Sequence, residues 1–270
     1  MYKLMAIDVD GTLFNDRKEI TKAVNDAIQA AKAKDVKVVI CTGRPIGGVR
    51  PIIEELKLTD DNEYVITYNG ALVQNTYTNE VVSENSLTVS NLKVLYELSK
   101  DLNSPMHFFN SEQIYTPNKD ISNYTVYESY ANQVPLHYRM IEEIPEDMLI
   151  PKVMFVDEPE RLTKIIAAIP DSIREKYTMV QSAPFFLEIF HLSVNKGNAV
   201  KQLAEKLSIK RKEIICIGDG ENDLEMVKYA GCGVAMGNAV PSVKEVAEFH
   251  TLSNNDNGVA YAIEQLILNK

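Results

Sequence analysis

The chain has 270 residues, of which 45% are hydrophobic and 24% charged, and carries a net charge of −10. These values suit a soluble globular protein of one large domain or two smaller ones. The acidic balance argues against nucleic acid or an anionic membrane surface as a general partner, but not against a small anionic ligand, which needs only local positive charge. No apolar run is long enough to span a bilayer, and Met1-Tyr2-Lys3 leads straight into the first strand, so no signal segment is expected. Three cysteines without a C-x-x-C spacing suit reduced thiols in a cytosol. The four histidines show no metal-ligand spacing.

In chain order, Leu4-Met5-Ala6-Ile7 predicts a short buried strand that ends in Asp8-Val9-Asp10-Gly11-Thr12. Two carboxylates at i and i+2 are costly to bury there unless they meet a cation or a hydrogen-bond network. An ordinary acidic turn would have the same composition. Thr21 is a fitting N-cap for a helix to about residue 34, with Val24, Ala27, Ile28 and Ala31 on one face. Residues 36–41 predict a second strand. Strand, helix and strand form a βαβ unit, which brings both C-terminal strand ends to the edge where open α/β sheets bind ligands.

At that edge stands Thr42-Gly43-Arg44-Pro45, followed by a helix containing Val49, Ile52, Ile53 and Leu56. A hydroxyl and backbone N–H groups at a helix start can seat a phosphate; a plain capped helix start reads the same way. A cysteine-phosphatase loop is excluded because Gly47 stands where its arginine is needed. A Walker A loop is excluded because Val49, not lysine, follows Gly48. Residues 64–73 predict a strand, a tight turn at Asn69-Gly70 and a further strand leading toward Val81-Val82.

From about residue 83 the pattern changes to mixed helices and short strands. Helices are predicted over 87–102, 121–131 and 160–169, and strands near 106–110, 113–116, 152–156, 177–181 and 185–190. This mixture predicts an inserted α+β unit. The parallel pattern resumes with a helix at Asn195-Lys196-Gly197. Lys196 sits at its start, where the helix dipole disfavours a cation. A strand over 213–217 then runs into Gly218-Asp219-Gly220-Glu221-Asn222-Asp223. Asp219 and Asp223 can face one point, and such hard oxygen ligands suit Mg²⁺. An acidic helix start explains Asp223 but leaves Asp219 at the strand end unexplained. A strand at 233–236 and helices at 241–247 and 258–268 complete a doubly wound domain.

D-x-D-G-T, T-G-R, a helix-start lysine and G-D-G-x-N-D, in that order, resemble the haloacid dehalogenase (HAD) superfamily. The insertion resembles the cap of its Cof-type subclass IIB, and the chain is similar to the YidA-like sugar phosphatases. The resemblance covers the whole chain. It implies a Rossmann-like doubly wound α/β core over residues 1–82 and 191–270, with an inserted α+β cap at 83–190 that acts as a lid against bulky substrates.

The same resemblance implies Asp8 as the nucleophile and Asp10 as general acid, then base. It implies that Thr42 and Gly43 hold the phosphoryl oxygens and that Lys196 neutralises the phosphate and Asp8. Mg²⁺ is implied on Asp8, the Asp10 carbonyl and Asp219, supported by Asn222 or Asp223. Arg44, Asn69 and Asn222 are further substrate contacts. The implied activity is Mg²⁺-dependent hydrolysis of small phosphorylated metabolites, sugar phosphates first, by a cytoplasmic monomer or homodimer. The alternatives are a phosphomutase or phosphotransferase using the same aspartate, and a non-catalytic phosphometabolite sensor. Intact Asp8 and Asp10 disfavour the sensor, since binding alone needs neither. Lys196 is expected to serve chemistry and add little to folding, as a lysine at a helix start contributes little stability.

Overall fold

Four short apolar runs form the centre of one sheet because nothing in them objects to burial on both faces. In the computed structural model, which describes residues 1–269, these are Leu4–Ile7, Lys37–Cys41, Ile214–Gly218 and Cys232–Ala235. Their side chains are almost wholly buried. The eight strands run in the spatial order Phe249–His250, Cys232–Ala235, Ile214–Gly218, Leu4–Ile7, Lys37–Cys41, Tyr64–Thr67, Leu72–Asn75, Val81–Glu84. Pairing is parallel from Phe249–His250 through Tyr64–Thr67, with Leu4 opposite both Ile214 and Lys37. Parallel neighbours end at the same edge, so Asp8, Thr42 and Asp219, each just past its strand, emerge together.

The flanking helices start where their caps allow. Thr21 accepts from the Val24 N–H at the head of Lys22–Lys32, and Asn195 accepts from the Asn198 N–H at the head of Lys196–Lys206. Tyr64–Thr67 and Leu72–Asn75 pair antiparallel, with Thr67 opposite Leu72. The expected tight Asn69-Gly70 turn is therefore a longer loop. Its residues Tyr68, Asn69 and Gly70 all take left-handed backbone angles, with φ of 52°, 55° and 101°. For the buried, bulky Tyr68 this costs about 1–2 kcal/mol. The helix expected over 258–268 is α-helical only through Gly258–Ile263 and widens to a π-helix at Glu264–Leu268.

The chain divides into two compact units. The first comprises Met1–Gly43, Pro51–Ser83 and the chain from Asn195; the second comprises Arg44–Arg50 and Glu84–Val194. The second unit has its own six-stranded sheet, in the order Tyr177–Ala183, Phe186–His191, Val153–Val156, Met106–Phe109, Ile114–Thr116, Leu136–Tyr138. All its pairings are antiparallel except the last. Alternation divides its faces. Met106, Phe108, Val153, Phe155, Leu187 and Ile189 join an apolar core with the helices Val89–Asp101 and Pro159–Ala168.

The opposite face carries His107, Phe109, Lys152, Met154 and Glu188, and the helix Asn123–Asn132 lies against it through Thr125 and Glu128. Lys152 is buried between Glu188 (3.1 Å) and Glu128 (3.3 Å), with its ammonium 4.6 Å from the Phe109 ring centre. Among the described residues of the chain, no helix is long and apolar enough to cross a membrane.

His107 makes a pH prediction. Its ring meets the Thr125 hydroxyl at 3.0 Å and the Met154 sulfur at 3.2 Å. Burial first, and the Lys152 charge second, push its pKa from 6.5 down to about 3. The folded unit therefore keeps His107 neutral, while the unfolded chain takes up a proton below about 6.5. The stability tied to this neutral ring is intact above that pH and is lost as pH falls toward 3, at up to about 1.4 kcal/mol per pH unit. Denaturant unfolding across this range should show a steeper acid loss for the parent than for His107→Gln. Equal slopes would contradict a buried neutral histidine.

Candidate active site

Asp8 is the first residue past the strand Leu4–Ile7 and is held there by its N–H, which donates to the Ile217 carbonyl at 3.0 Å. Its carboxylate meets Lys196, a fully buried side chain on the first residue of its helix. The Lys196 ammonium donates to Asp8 Oδ1 and to Asp223 Oδ1, both at 2.6 Å. Asp223 Oδ2 accepts from the N–H groups of Asp219 at 2.9 Å and Gly220 at 3.0 Å. Asp223 thus uses one oxygen to hold the lysine and the other to shape the 219–220 turn.

Two glycines permit this approach. Gly11 has φ +89°, and a Cβ there would stand 2.4 Å from Asp219 Oδ2; a Cβ on Gly218 would stand 2.5 Å from the Asp223 Cβ. Thr12 donates to Asp219 Oδ1 at 2.8 Å.

The electrostatics follow from burial. Desolvation pushes the Asp8 carboxyl well above the usual carboxylate range and the Asp223 charge adds to this, while Lys196 opposes it. For Lys196, desolvation works against the charged form. The Asp223 and Asp8 carboxylates outweigh it and hold the pKa above the ordinary lysine value. The ammonium therefore keeps its proton. Burial also raises Asp219, against the Thr12 hydrogen bond. Lys196 does more for folding than its place at a helix start predicts: a lysine buried between two buried carboxylates is part of the core's charge balance.

Asp8, Asp219 and Asp223 each offer one oxygen, all within 4.8 Å of one another. Three carboxylates face one ammonium, leaving negative charge for which a hard divalent cation is the fitting partner. The donor set fits Mg²⁺.

The sequence candidates fall into place unevenly. Thr42 is buried; its N–H donates to the Ile66 carbonyl and its carbonyl accepts from the Asn69 N–H, both at 2.9 Å. Gly43 lies against the Asn69 amide, where a Cβ would come within 3.1 Å of Nδ2. The Asn222 amide donates to Asn69 Oδ1 at 3.1 Å. Asn69 thus ties the Thr42-Gly43 loop to the loop carrying Asp219, Asn222 and Asp223. Arg44 belongs to the segment Arg44–Arg50 of the second unit. The Asp10 carboxylate pairs with Lys18 at 2.8 Å.

Sequence reasoning missed the roles of Thr12, Lys18 and Asn238. Asn238 donates to the Gly11 carbonyl at 2.8 Å and approaches Asp219 Oδ2 at 3.4 Å. It follows the strand Cys232–Ala235, so asking what each parallel strand end carries would have found it.

A family model for haloacid dehalogenase-like hydrolases matches residues 5–263. The chain belongs to this family.

It is similar over its full length to the Bacillus subtilis protein named "Putative phosphatase YxeH", with 62% identity covering 100% of both chains. It is 30% identical to the B. subtilis 5-amino-6-(5-phospho-D-ribitylamino)uracil phosphatase YcsE, covering 98% of this chain and 96% of that one. Among solved structures, a haloacid dehalogenase-like hydrolase from Bacteroides thetaiotaomicron superposes with a TM-score of 0.87 at 31% identity, over 99% of this chain and 100% of that one. The protein is a HAD-superfamily phosphatase of the Cof type. In this HAD phosphatase the doubly wound sheet brings Asp8, Lys196, Asp219 and Asp223 to one edge.

Proposed function

We propose that this HAD phosphatase hydrolyses small phosphorylated metabolites, sugar phosphates first, through a phosphoryl group carried on Asp8. The observation that carries the reading is the Lys196 ammonium, 2.6 Å from both Asp8 and Asp223. A buried carboxylate next to a retained cation can approach an anionic phosphate. A carboxylate oxygen of Asp8 attacks phosphorus, the ester P–O bond breaks, and Asp10 gives its proton to the leaving oxygen, releasing the alcohol. Asp10, now a carboxylate, takes a proton from water as that water attacks phosphorus; inorganic phosphate leaves and Asp8 is restored.

Thr42 and Gly43 hold the phosphoryl oxygens, Asn69 and Asn222 brace that loop, and Arg44 is a further substrate contact. Asp8, Asp219 and the Asp10 carbonyl would hold Mg²⁺, supported by Asp223 and Asn222; the ion supplies charge neutralisation between carboxylate and phosphate. The YcsE name points to a phosphate on a ribityl chain, a substrate of the proposed class.

Purified protein should release phosphate from members of a panel of phosphorylated metabolites. It should lose this activity in EDTA and regain it with Mg²⁺. Full activity in the chelator would remove the metal from the reading, and preference for a folded phosphoprotein would remove the substrate class.

A further inference from the structure

The chemistry proposed for Asp10 uses its carboxylate twice, yet this side chain is 44% exposed, against 8% for Asp8. The direction of a carboxylate so open to water is set by its polar contacts and not by packing. The Lys18 ammonium donates to Asp10 Oδ1 at 2.8 Å. The turn that presents Lys18 is tightly built. The Asn15 side chain accepts from the N–H groups of Arg17 at 2.9 Å and Glu19 at 3.1 Å. The Asn15 carbonyl accepts from the Lys18 N–H at 2.9 Å, and the Asn15 N–H donates to the Glu19 carbonyl at 3.2 Å.

The loop is also tethered to a second one. Asn254 donates to the Phe14 carbonyl at 3.0 Å and to Asp16 at 3.1 Å, and Asn255 donates to Asp16 at 2.9 Å. Lys18 itself takes a left-handed backbone, φ 61°, which glycine would adopt without strain. Its ion pair is largely exposed, and such pairs contribute little to stability. Folding therefore accounts poorly for a lysine at this strained position, whereas its aim at Asp10 gives it a use.

We infer that Lys18 is a positioning residue that fixes the direction of the Asp10 carboxyl for proton delivery to the leaving oxygen. The inference rests on the phosphoaspartate reading above. Proton delivery matters when the departing oxygen is a poor leaving group and hardly at all when it is a stabilised nitrophenolate. Phenyl phosphate and p-nitrophenyl phosphate differ in this respect and little in shape. Their kcat/KM values report the steps through cleavage of the ester bond.

The parent, Lys18→Met and Lys18→Arg should be compared on both esters, with thermal melting as a check on folding. For Lys18→Met the expected result is a loss of about tenfold on phenyl phosphate, a fraction of what full acid–base help gives, with less than about twofold change on p-nitrophenyl phosphate. Lys18→Arg should restore most of the loss, and melting should be unchanged. Equal losses on the two esters, no loss, or a gain would overturn the positioning role. A parent that cleaves both esters while Lys18→Met shows no selectivity sinks this inference alone; a parent that turns over with no phosphoryl group trapped on Asp8 sinks the phosphoaspartate reading and this inference with it.

Discussion

Asp8→Asn should abolish turnover and leave the fold at least as stable as before. An amide cannot act as the attacking carboxylate, and loss of a nucleophile in a comparable covalent mechanism costs on the order of 10⁶-fold in kcat. The stability half of the expectation comes from the site's electrostatics. Burial and the Asp223 charge both work against ionised Asp8, so the native enzyme holds a carboxylate in surroundings that disfavour it. Asparagine keeps the shape and removes that charge, and Lys196 retains Asp223 at 2.6 Å. A site built for reaction is commonly a site where stability was forgone. Phosphate release and melting temperature measured on the same preparation decide the matter. An active variant, or a variant that melts well below the parent, would contradict this account.

Lys196→Ala should fail in both respects. Activity should fall by about 10²–10³-fold or more, as when a preorganised charge-stabilising group is removed. Stability should fall by about 3–5 kcal/mol, because Asp8 and Asp223 remain buried with their shared cation gone. The sign of the pH dependence follows. Without the ammonium, nothing opposes the burial that already disfavours ionised Asp8, so that carboxyl favours a proton in the folded state more than in the unfolded chain. The variant should therefore be least impaired under acidic conditions and lose stability as pH rises toward neutrality. Urea unfolding at acidic and neutral pH would show this. A variant that is inactive but as stable as the parent at both would return Lys196 to the purely chemical role expected of a helix-start lysine.

The difference between those two lysine expectations shows where the sequence stops being legible. The parallel core could be read because its strands are unbroken apolar runs, and Thr21 and Asn195 cap helices where their side chains suggested. The convergence of Asp8, Asp219 and Asp223 could be anticipated because each lies at a strand end or in the turn that follows one. How deeply Lys196 is buried could not be read, since burial depends on Gly197 letting its helix pack tightly, where a Cβ would stand 2.5 Å from the Glu225 carbonyl oxygen.

The helix Asn123–Asn132 has a buried face made of Thr125 and Glu128, so apolar periodicity cannot explain why it packs where it does. Its partners His107, Lys152 and Glu188 lie far away in sequence. Asn69 looked like turn chemistry, and its left-handed backbone agrees; only the structure shows its amide between Gly43 and Asn222. Lys18 was one charge among many until the turn around Asn15 aimed it at Asp10.

The central claim is that phosphate passes through Asp8. Asp10→Asn keeps the nucleophile and removes both proton-transfer roles, so with an ester such as p-nitrophenyl phosphate, whose leaving group needs no proton, it should slow breakdown of the phosphoenzyme more than its formation and let it accumulate. Acid quenching this variant after a brief reaction with a labelled phosphate ester, followed by peptide mapping, tests the claim most directly. The expected result is one phosphoryl group, labile to hydroxylamine, on the peptide containing Asp8, and none when Asp8→Asn is combined with Asp10→Asn. Phosphate released with no labelled peptide at any quench time, or the label on another residue, would contradict it.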